Sequence, residues 1–152
     1  MKNKELTKKV ELRLNSTGYI APKNKELEIL QKEVYNILGY KISDLTRILA
    51  AFWGTMNDKN GESIGLFVAL PNNFIYVAGV PEKQHMICEE FPYDKISEFI
   101  SKADGKRINS LTFKIYNEQV EIVGFNAIIP DNFMVKLKKK RILLFELNQN
   151  PN

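Results

Sequence analysis

Two stretches of the chain indicate its fold: Gly65–Gly79, which reads GLFVALPNNFIYVAG, and Glu89–Phe99, which reads EEFPYDKISEF. In the first stretch, Pro71-Asn72-Asn73 interrupts two apolar runs rich in β-forming residues, a pattern typical of two strands joined by a turn. In the second, Pro92 ends one strand, and Asp94 can cap or turn the chain before the next. Together they predict a curved antiparallel sheet with one buried face.

Further strands are expected on both sides of these stretches. The apolar run Ile48–Trp53 is followed by the turn-forming segment Asn57–Gly61. The clearest hairpin has alternating strands at Leu111–Tyr116 and Val120–Gly124, joined by a turn at Asn117-Glu118. Many short strands with one-sided alternation, followed by a closing helix, predict a partly open barrel or two orthogonal sheets capped at one end.

The segment before Pro22 fits two patterns. Val10, Leu12 and Leu14 alternate with charged residues, as in a short strand. Leu6, Val10 and Leu14 also have the i, i+4, i+8 spacing of a helix. We favour the helix, because lysine and glutamate dominate the segment.

A second helix is predicted from Pro22 to Leu38, with Gly39 ending it. Its apolar residues form a single stripe: Leu27, Leu30, Val34, Ile37 and Leu38. A single stripe must pack on something. It either covers the sheet or, as a hypothesis, stays exposed and makes part of a contact between copies of the chain.

The C-terminal part begins with a helix signal at Pro130-Asp131-Asn132. The run Ile142–Leu147 fits either the continuation of that helix or a terminal strand, and its spacing leaves both open. The expected organisation is a helical extension over 1–40, a β-rich domain over 41–147 and a disordered tail over 148–152.

The stretches quoted first resemble the bacterial pleckstrin-homology-like (PH-like) domains of the YokE-like type. The resemblance rests on the hairpin Phe67–Val77 and on the ungapped match FPYDKIS at Phe91–Ser97. It covers roughly Leu45 to Phe145. It implies an antiparallel β-barrel of about seven strands, capped by a C-terminal helix.

The chain departs from the family pattern in the hairpin turn, where Asn73 and Phe74 stand in place of the usual basic residue. Eukaryotic relatives bind phosphoinositides through lysines and arginines in the first loop between strands. The equivalent loop here, Thr55–Glu62, is close to neutral, which argues against a lipid-headgroup site there.

Composition is ordinary for a soluble globular protein: 152 residues, 44% hydrophobic and 26% charged, with a formal net charge of +4. No apolar run approaches the roughly 20 residues that span a bilayer. Neither an apolar segment nor a small-residue cleavage site follows Met1–Glu5. A cytoplasmic location is therefore expected, and the single cysteine, Cys88, agrees with it.

No catalytic, metal or cofactor site is expected. His85 and Cys88 are three residues apart, so on a strand they point to opposite faces and cannot form a Cys-His pair. One histidine and one cysteine do not supply the usual ligands of zinc. The segment Asn57–Glu62 lacks the acidic spacing of a calcium loop, and no glycine-rich phosphate loop occurs. An enzyme would need an active site built from carboxylates and tyrosine alone.

The strongest local charge lies in the run KLKKKR. Its basic residues are Lys136, Lys138, Lys139, Lys140 and Arg141. They are candidate contacts for an anionic membrane surface. On a helix they would spread around most of the circumference, which also fits solvated positions favoured by the helix dipole. Nucleic-acid binding is disfavoured, because the aromatic residues of the strands are not interleaved with arginine and lysine.

The sequence therefore predicts a non-catalytic binding module that acts through contact with a protein partner or through self-association. The contact would use a sheet edge, or the groove between that edge and the closing helix. Peripheral binding to anionic membrane through the basic run is the alternative. No small-molecule substrate is evident.

Overall fold

The computed structural model describes residues 4–80, 85–104, 107–125 and 129. Within these ranges, two α-helices precede seven β-strands. The helices are α1 (Lys4–Ser16) and α2 (Glu28–Lys41). The strands are β1 (Ala50–Asp58), β2 (Gly61–Ala69), β3 (Asn73–Val80), β4 (His85–Pro92), β5 (Ile96–Asp104), β6 (Arg107–Ile115) and β7 (Glu118–Gly124). Short 3-10 helices occur at Lys25–Leu27, Leu45–Arg47 and Tyr93–Lys95.

All seven strands belong to one antiparallel sheet with the order β4-β3-β2-β1-β7-β6-β5. The β-rich class with N-terminal helices is thus confirmed. The expected barrel is not, because β4 and β5 are the two edges of the described sheet and do not pair with each other. The short helix Tyr93–Lys95 carries the chain from one edge to the other. The predicted C-terminal helix, the run Ile142–Leu147 and the tail 148–152 lie outside the described residues.

Ring contacts show that the sheet folds over on itself. Phe74 on β3 meets Phe113 on β6 edge to face, with ring centroids 6.1 Å apart. Four strand spacings separate β3 from β6, which in a flat sheet would be about 19 Å. Phe91 on β4 also lies 6.1 Å from Phe113. The inner face therefore encloses a core to which both halves of the sheet contribute.

Glycines lie at the centre of the sheet, where β1 pairs with β2 on one side and with β7 on the other. Gly54 stands opposite Gly65 on β2 and Gly124 on β7. A Cβ on Gly54 would overlap the backbone carbonyl oxygen of Val123, and one on Gly65 would overlap that of Val77. The close approach of neighbouring strands thus requires residues without a side chain here, since backbone atoms cannot move aside as a side chain can.

Stacked aromatic rings fill the inner core. Phe67 stacks on Phe52 at 4.8 Å and on Tyr76 at 4.4 Å, and Phe74 stacks on Phe91 at 4.7 Å. These rings are buried, and aromatic pairs in such arrangements add about 0.5–1.5 kcal/mol each beyond the area that they remove from water. The inner core therefore contains two groups of stacked rings, which meet where Phe67 and Phe74 lie 6.3 Å apart in a tilted contact.

The helices cover the outer face of the sheet and form a second core with it. Val10 and Leu14 of α1 and Val34 and Leu38 of α2 are completely buried. They belong to one cluster with sheet residues Ala51, Trp53, Leu66, Val68, Ile75 and Val77. Strands β1 to β3 are therefore buried on both faces, which explains why their sequences are nearly continuous apolar runs.

A buried chain of hydrogen bonds joins the helical segment to the sheet. The indole Nε1 of Trp53 donates to the hydroxyl of Tyr19, which lies 2.7 Å from the hydroxyl of Tyr35. Burial raises the pKa of both tyrosine hydroxyls above its ordinary value. At the end of α1, the Arg13 guanidinium donates to the carbonyl oxygens of Thr46 and Ile48, at 2.8 and 2.7 Å. These bonds fix the helices in position on the sheet.

The N-terminal helix is confirmed, but the bounds predicted for the second helix are wrong. It begins at Glu28 rather than Pro22 and continues through Gly39 to Lys41. Gly39 is required for packing, because a Cβ there would overlap the side chain of Leu6 on α1. The sequence signal of a helix end therefore marks a helix–helix contact instead.

The apolar stripe of α2 packs within the chain. Val34 and Leu38 are buried, and Leu30 and Ile37 are half-buried against the same cluster. The hypothesis of an exposed stripe available to another copy is therefore wrong, since this chain's own sheet occupies it. Neither described helix has the length and apolar content needed to cross a membrane.

We expect Gly65→Ala to lower the free energy of unfolding by about 1–3 kcal/mol, because the new methyl group meets backbone atoms of β3. Gly79→Ala is the matched control. There the nearest atom is Cδ1 of Leu30, at 2.9 Å, which is the end of a flexible side chain. Urea unfolding of both variants measures the difference. Equal midpoints would contradict the role given to Gly65.

Candidate functional site

Of the two edges of the described sheet, β5 carries more exposed side chains than β4, and among the described strands it pairs with β6 alone. Its exposed side chains are Ser97, Glu98, Ile100, Ser101, Lys102 and Ala103. Phe99 turns inward and packs against the inner core. Ile100 is 59% exposed, although isoleucine is among the residues most often buried. We call Ser97–Ala103 the β5 edge.

A β-bulge shapes the β5 edge. Ser97 stands opposite Lys114 and Ile100 opposite Thr112, so two residues of β5 face one residue of β6. Glu98, the first of the two, has a φ of 50°, in the left-handed region. Its carboxylate forms an ion pair with Lys114, with 2.9 Å between Oε2 and Nζ. The bulge allows Phe99 to enter the core while Ile100 faces solvent.

The opposite edge of the sheet, β4, is less accessible. His85 and Glu90 are exposed, and the other residues of β4 are buried or half-buried. Met86 and Cys88 pack against the outer core, and Ile87 and Phe91 against the inner core. A partner strand would therefore find fewer exposed side chains on β4 than on β5.

Half-buried Glu89 lies among other acidic groups at one end of the inner face. Burial raises its pKa, and the carboxylates of Asp58 and Glu118 raise it further. Glu89 stands opposite Tyr76, whose hydroxyl lies 2.7 Å from Oγ of Ser63. Burial raises the pKa of Tyr76 as well. Within the described ranges, no group of three His, Cys, Asp or Glu residues is placed to hold a metal ion.

His85 and Cys88 lie in different surroundings on β4. Cys88 packs against the outer core, whereas His85 is exposed at the start of β4. Burial raises the pKa of the Cys88 thiol, although Lys41 lowers it to a lesser extent. Activation of a thiol requires a lowered pKa, so the environment of Cys88 favours a packing role.

A groove of about 560 Å³ lies between α1 and α2. It is lined by Lys4, Thr7, Lys8, Glu11, Glu28, Gln31, Lys32 and Tyr35. The Gln31 side chain donates to the carbonyl oxygen of Pro22, 3.0 Å away. The lining mixes both signs of charge and gives no preference for one class of ligand.

The candidate contacts of the basic run, Lys136 to Arg141, lie outside the described residues. The near-neutral loop Thr55–Glu62 forms the ends of β1 and β2 and the tight turn between them. In this turn the Asp58 carboxylate accepts from the amide of Asn60 at 2.9 Å. The β5 edge was missed as a particular site, because the sequence predicted a contact at a sheet edge without indicating which strand forms that edge. The available signal was the adjacent pair Phe99-Ile100, which breaks the strand alternation and marks the bulge.

No family model and no curated protein matches this chain. Among solved structures, it is similar to the crystal structure of the C-terminal domain of an unknown protein from Leishmania infantum. The identity is 15% and the TM-score 0.40, and the match covers 64% of this chain and 80% of that one. A likeness at this level carries no inference about function.

We expect Glu89→Gln to stabilise the protein at neutral pH. A carboxyl whose pKa is raised on folding binds protons more tightly in the folded state, so stability falls as pH rises from its ordinary value of 4.5 through the folded-state pKa. Glutamine has no ionisable carboxyl group, so the variant does not lose this stability as the pH rises. Urea unfolding at about pH 4 and about pH 8 tests this, since the gain must appear at the higher pH alone.

Its neighbour Glu90 provides the control, because it is exposed on the same strand. Glu90→Gln should change stability little at either pH. An equal gain in both variants would indicate a general effect of the chain's charge instead of the burial of Glu89.

Proposed function

We propose that this chain is a non-catalytic binding module of the bacterial PH-like type, acting through protein–protein contact at its β5 edge. The strand order supports the fold part of the proposal, because seven antiparallel strands follow one another as the resemblance implies. The matched stretch Phe91–Ser97 forms the corner between the two edge strands. In this proposal the segment after Pro130 closes the sheet as a helix, and the location is cytoplasmic.

The observation that carries the proposed contact is the exposure of the β5 edge. An edge strand offers unpaired backbone groups, and an added strand hydrogen-bonds to them while its side chains meet those of the edge. Ile100 supplies an exposed apolar contact, and Glu98 and Lys102 supply charges of opposite sign on either side of it. Affinity would come from the backbone and selectivity from these side chains.

We expect Ile100→Glu to weaken partner binding by about tenfold or more, because a charge replaces the apolar contact at the centre of the edge. Ile29→Glu is the matched control. Ile29 is 68% exposed on α2, outside the sheet, and undergoes the same chemical change. Both variants should keep the unfolding midpoint of the wild type.

The measurement is a capture from bacterial lysate at low and high salt, with the wild type and both variants as bait. The proposal requires proteins that the wild type and Ile29→Glu retain at high salt and that Ile100→Glu loses. Retention of the same proteins by all three baits would contradict it.

Binding to anionic membrane through the basic run stays the alternative. Each lysine near an anionic surface contributes up to about 1 kcal/mol, so replacing Lys138, Lys139 and Lys140 by glutamine should abolish binding. The measurement is cosedimentation with vesicles containing phosphatidylserine, and added salt should weaken the wild-type signal. Binding that survives both the substitutions and salt would rule out this mechanism.

A further inference from the structure

We propose that the groove between α1 and α2 binds a small zwitterion, a molecule that carries a carboxylate and an ammonium group as a free α-amino acid does. The groove has a volume of about 560 Å³, which is within the usual range of small-molecule sites. Binding here would be additional to the proposed contact at the β5 edge and does not depend on it. It follows from a buried hydroxyl pair beside the groove and from the charges of the lining.

The buried hydroxyls of Tyr19 and Tyr35 carry one more hydrogen than their recorded bonds use. The indole Nε1 of Trp53 donates to Tyr19, and the two tyrosine oxygens share one further hydrogen bond at 2.7 Å. Three donor hydrogens therefore make two bonds. Both hydroxyls stay protonated at neutral pH, because burial raises their pKa. Among the described residues, one hydroxyl hydrogen is thus left without an acceptor.

The order of the bonds places this hydrogen beside the groove. Tyr19 already accepts from Trp53, so by donating to Tyr35 it completes a continuous donor chain that ends at the Tyr35 hydroxyl. Tyr35 is only 4% exposed, and it lines the groove. Glu11 lines the groove as well, and its charge raises the pKa of both tyrosines, so the hydroxyls lie within its electrostatic reach. An acceptor bound in the groove would complete the chain, as buried donors require.

The charged side chains of the lining limit what that acceptor can be. They are Lys4, Lys8, Glu11, Glu28 and Lys32, and none of them forms an ion pair within the described part of the chain. Lys32 precedes Tyr35 by three residues on α2, and residues at this spacing are neighbours on a helix surface. The free hydroxyl hydrogen therefore has both a lysine and a glutamate in its surroundings.

A ligand with one kind of charge would satisfy only part of this lining. An anion would accept from Tyr35 and pair with Lys32, but the Glu11 carboxylate would repel it. A cation would pair with Glu11 and leave the hydroxyl hydrogen without an acceptor. A zwitterion with adjacent groups meets all three requirements, because its carboxylate serves Tyr35 and Lys32 while its ammonium group donates to Glu11. The charges alone select no ligand, but the charges and the hydroxyl together do.

The single tryptophan of the chain reports on this site. Trp53 begins the donor chain, so its indole N–H gives one NMR signal that depends on the hydrogen bonds of Tyr19. We expect titration of the ¹⁵N-labelled whole chain with glycine, serine, leucine and phenylalanine, each up to about 10 mM, to shift this signal saturably with at least one of them.

The control for this titration is the N-acetylated amide of the same amino acid, which carries neither charge and should leave the signal unchanged. An unshifted signal with all four amino acids would overturn the proposal, and it is the result that a water molecule as the acceptor would give. An equal shift with the blocked form would also overturn it.

Two pairs of variants test the charges. Lys32→Gln and Glu11→Gln each remove one charged partner and should weaken binding about tenfold, as expected for the loss of a charge-assisted hydrogen bond. Lys25→Gln and Glu26→Gln are the matched controls, because both residues are exposed and lie outside the lining of the groove. All four variants should keep the unfolding midpoint of the wild type. Equal affinities across the four would contradict the zwitterion.

Tyr35→Phe tests the hydroxyl itself. It removes the end of the donor chain and should weaken binding about tenfold, whereas Tyr40→Phe, on the same helix but 66% exposed and outside the lining, should bind as the wild type does. Wild-type affinity in a folded Tyr35→Phe variant would overturn the role of the hydroxyl. If this variant does not fold, the substitutions of Lys32 and Glu11 decide. None of these variants alters the β5 edge, so the proposed function is decided separately.

Discussion

The structure depends on the close approach of strands at Gly54, where β1 pairs with β2 on one side and β7 on the other. Backbone atoms of neighbouring strands occupy the space of the missing side chains at Gly54 and Gly65. The two halves of the sheet can then fold toward each other until Phe74 meets Phe113. This folding of the sheet encloses the inner core. It does not join β4 to β5, so both strands remain edges of the described sheet.

The outer face explains why the helices are part of the same packing. Folding the sheet inward leaves Trp53, Leu66 and Val68 on the convex side, where they would be exposed without α1 and α2. The polar tip of Trp53 must also find a partner, because an unsatisfied buried donor costs about 1–3 kcal/mol. Tyr19 supplies that partner from the loop between the helices. The helical segment thus satisfies both the apolar and the polar requirements of β1.

Local patterns in the sequence predicted the strands and the first helix, but not what packs against what. Alternation at Leu111–Ile115 identified a strand because its period depends on neighbouring residues alone. Gly39 was misread because a helix end and a close helix–helix contact both favour glycine, and Leu6 is distant in sequence. The stripe of α2 likewise carried no information about its partner. The β5 edge was missed because its exposure depends on strand order, which local periodicity does not encode.

The same strand order gives the two edges different properties. Packing of Met86 and Cys88 under the helices and of Ile87 in the inner core restrains β4 on both faces. Strand β5 is the other edge of the described sheet, and its side chains from Ile100 to Ala103 are exposed. Charged side chains and a bulge on an edge strand discourage unselective pairing, and β5 carries both in Glu98, Lys102 and the register shift between Ser97 and Ile100. The two edges are therefore protected in different ways, β4 by packing on both faces and β5 by its charges and its bulge.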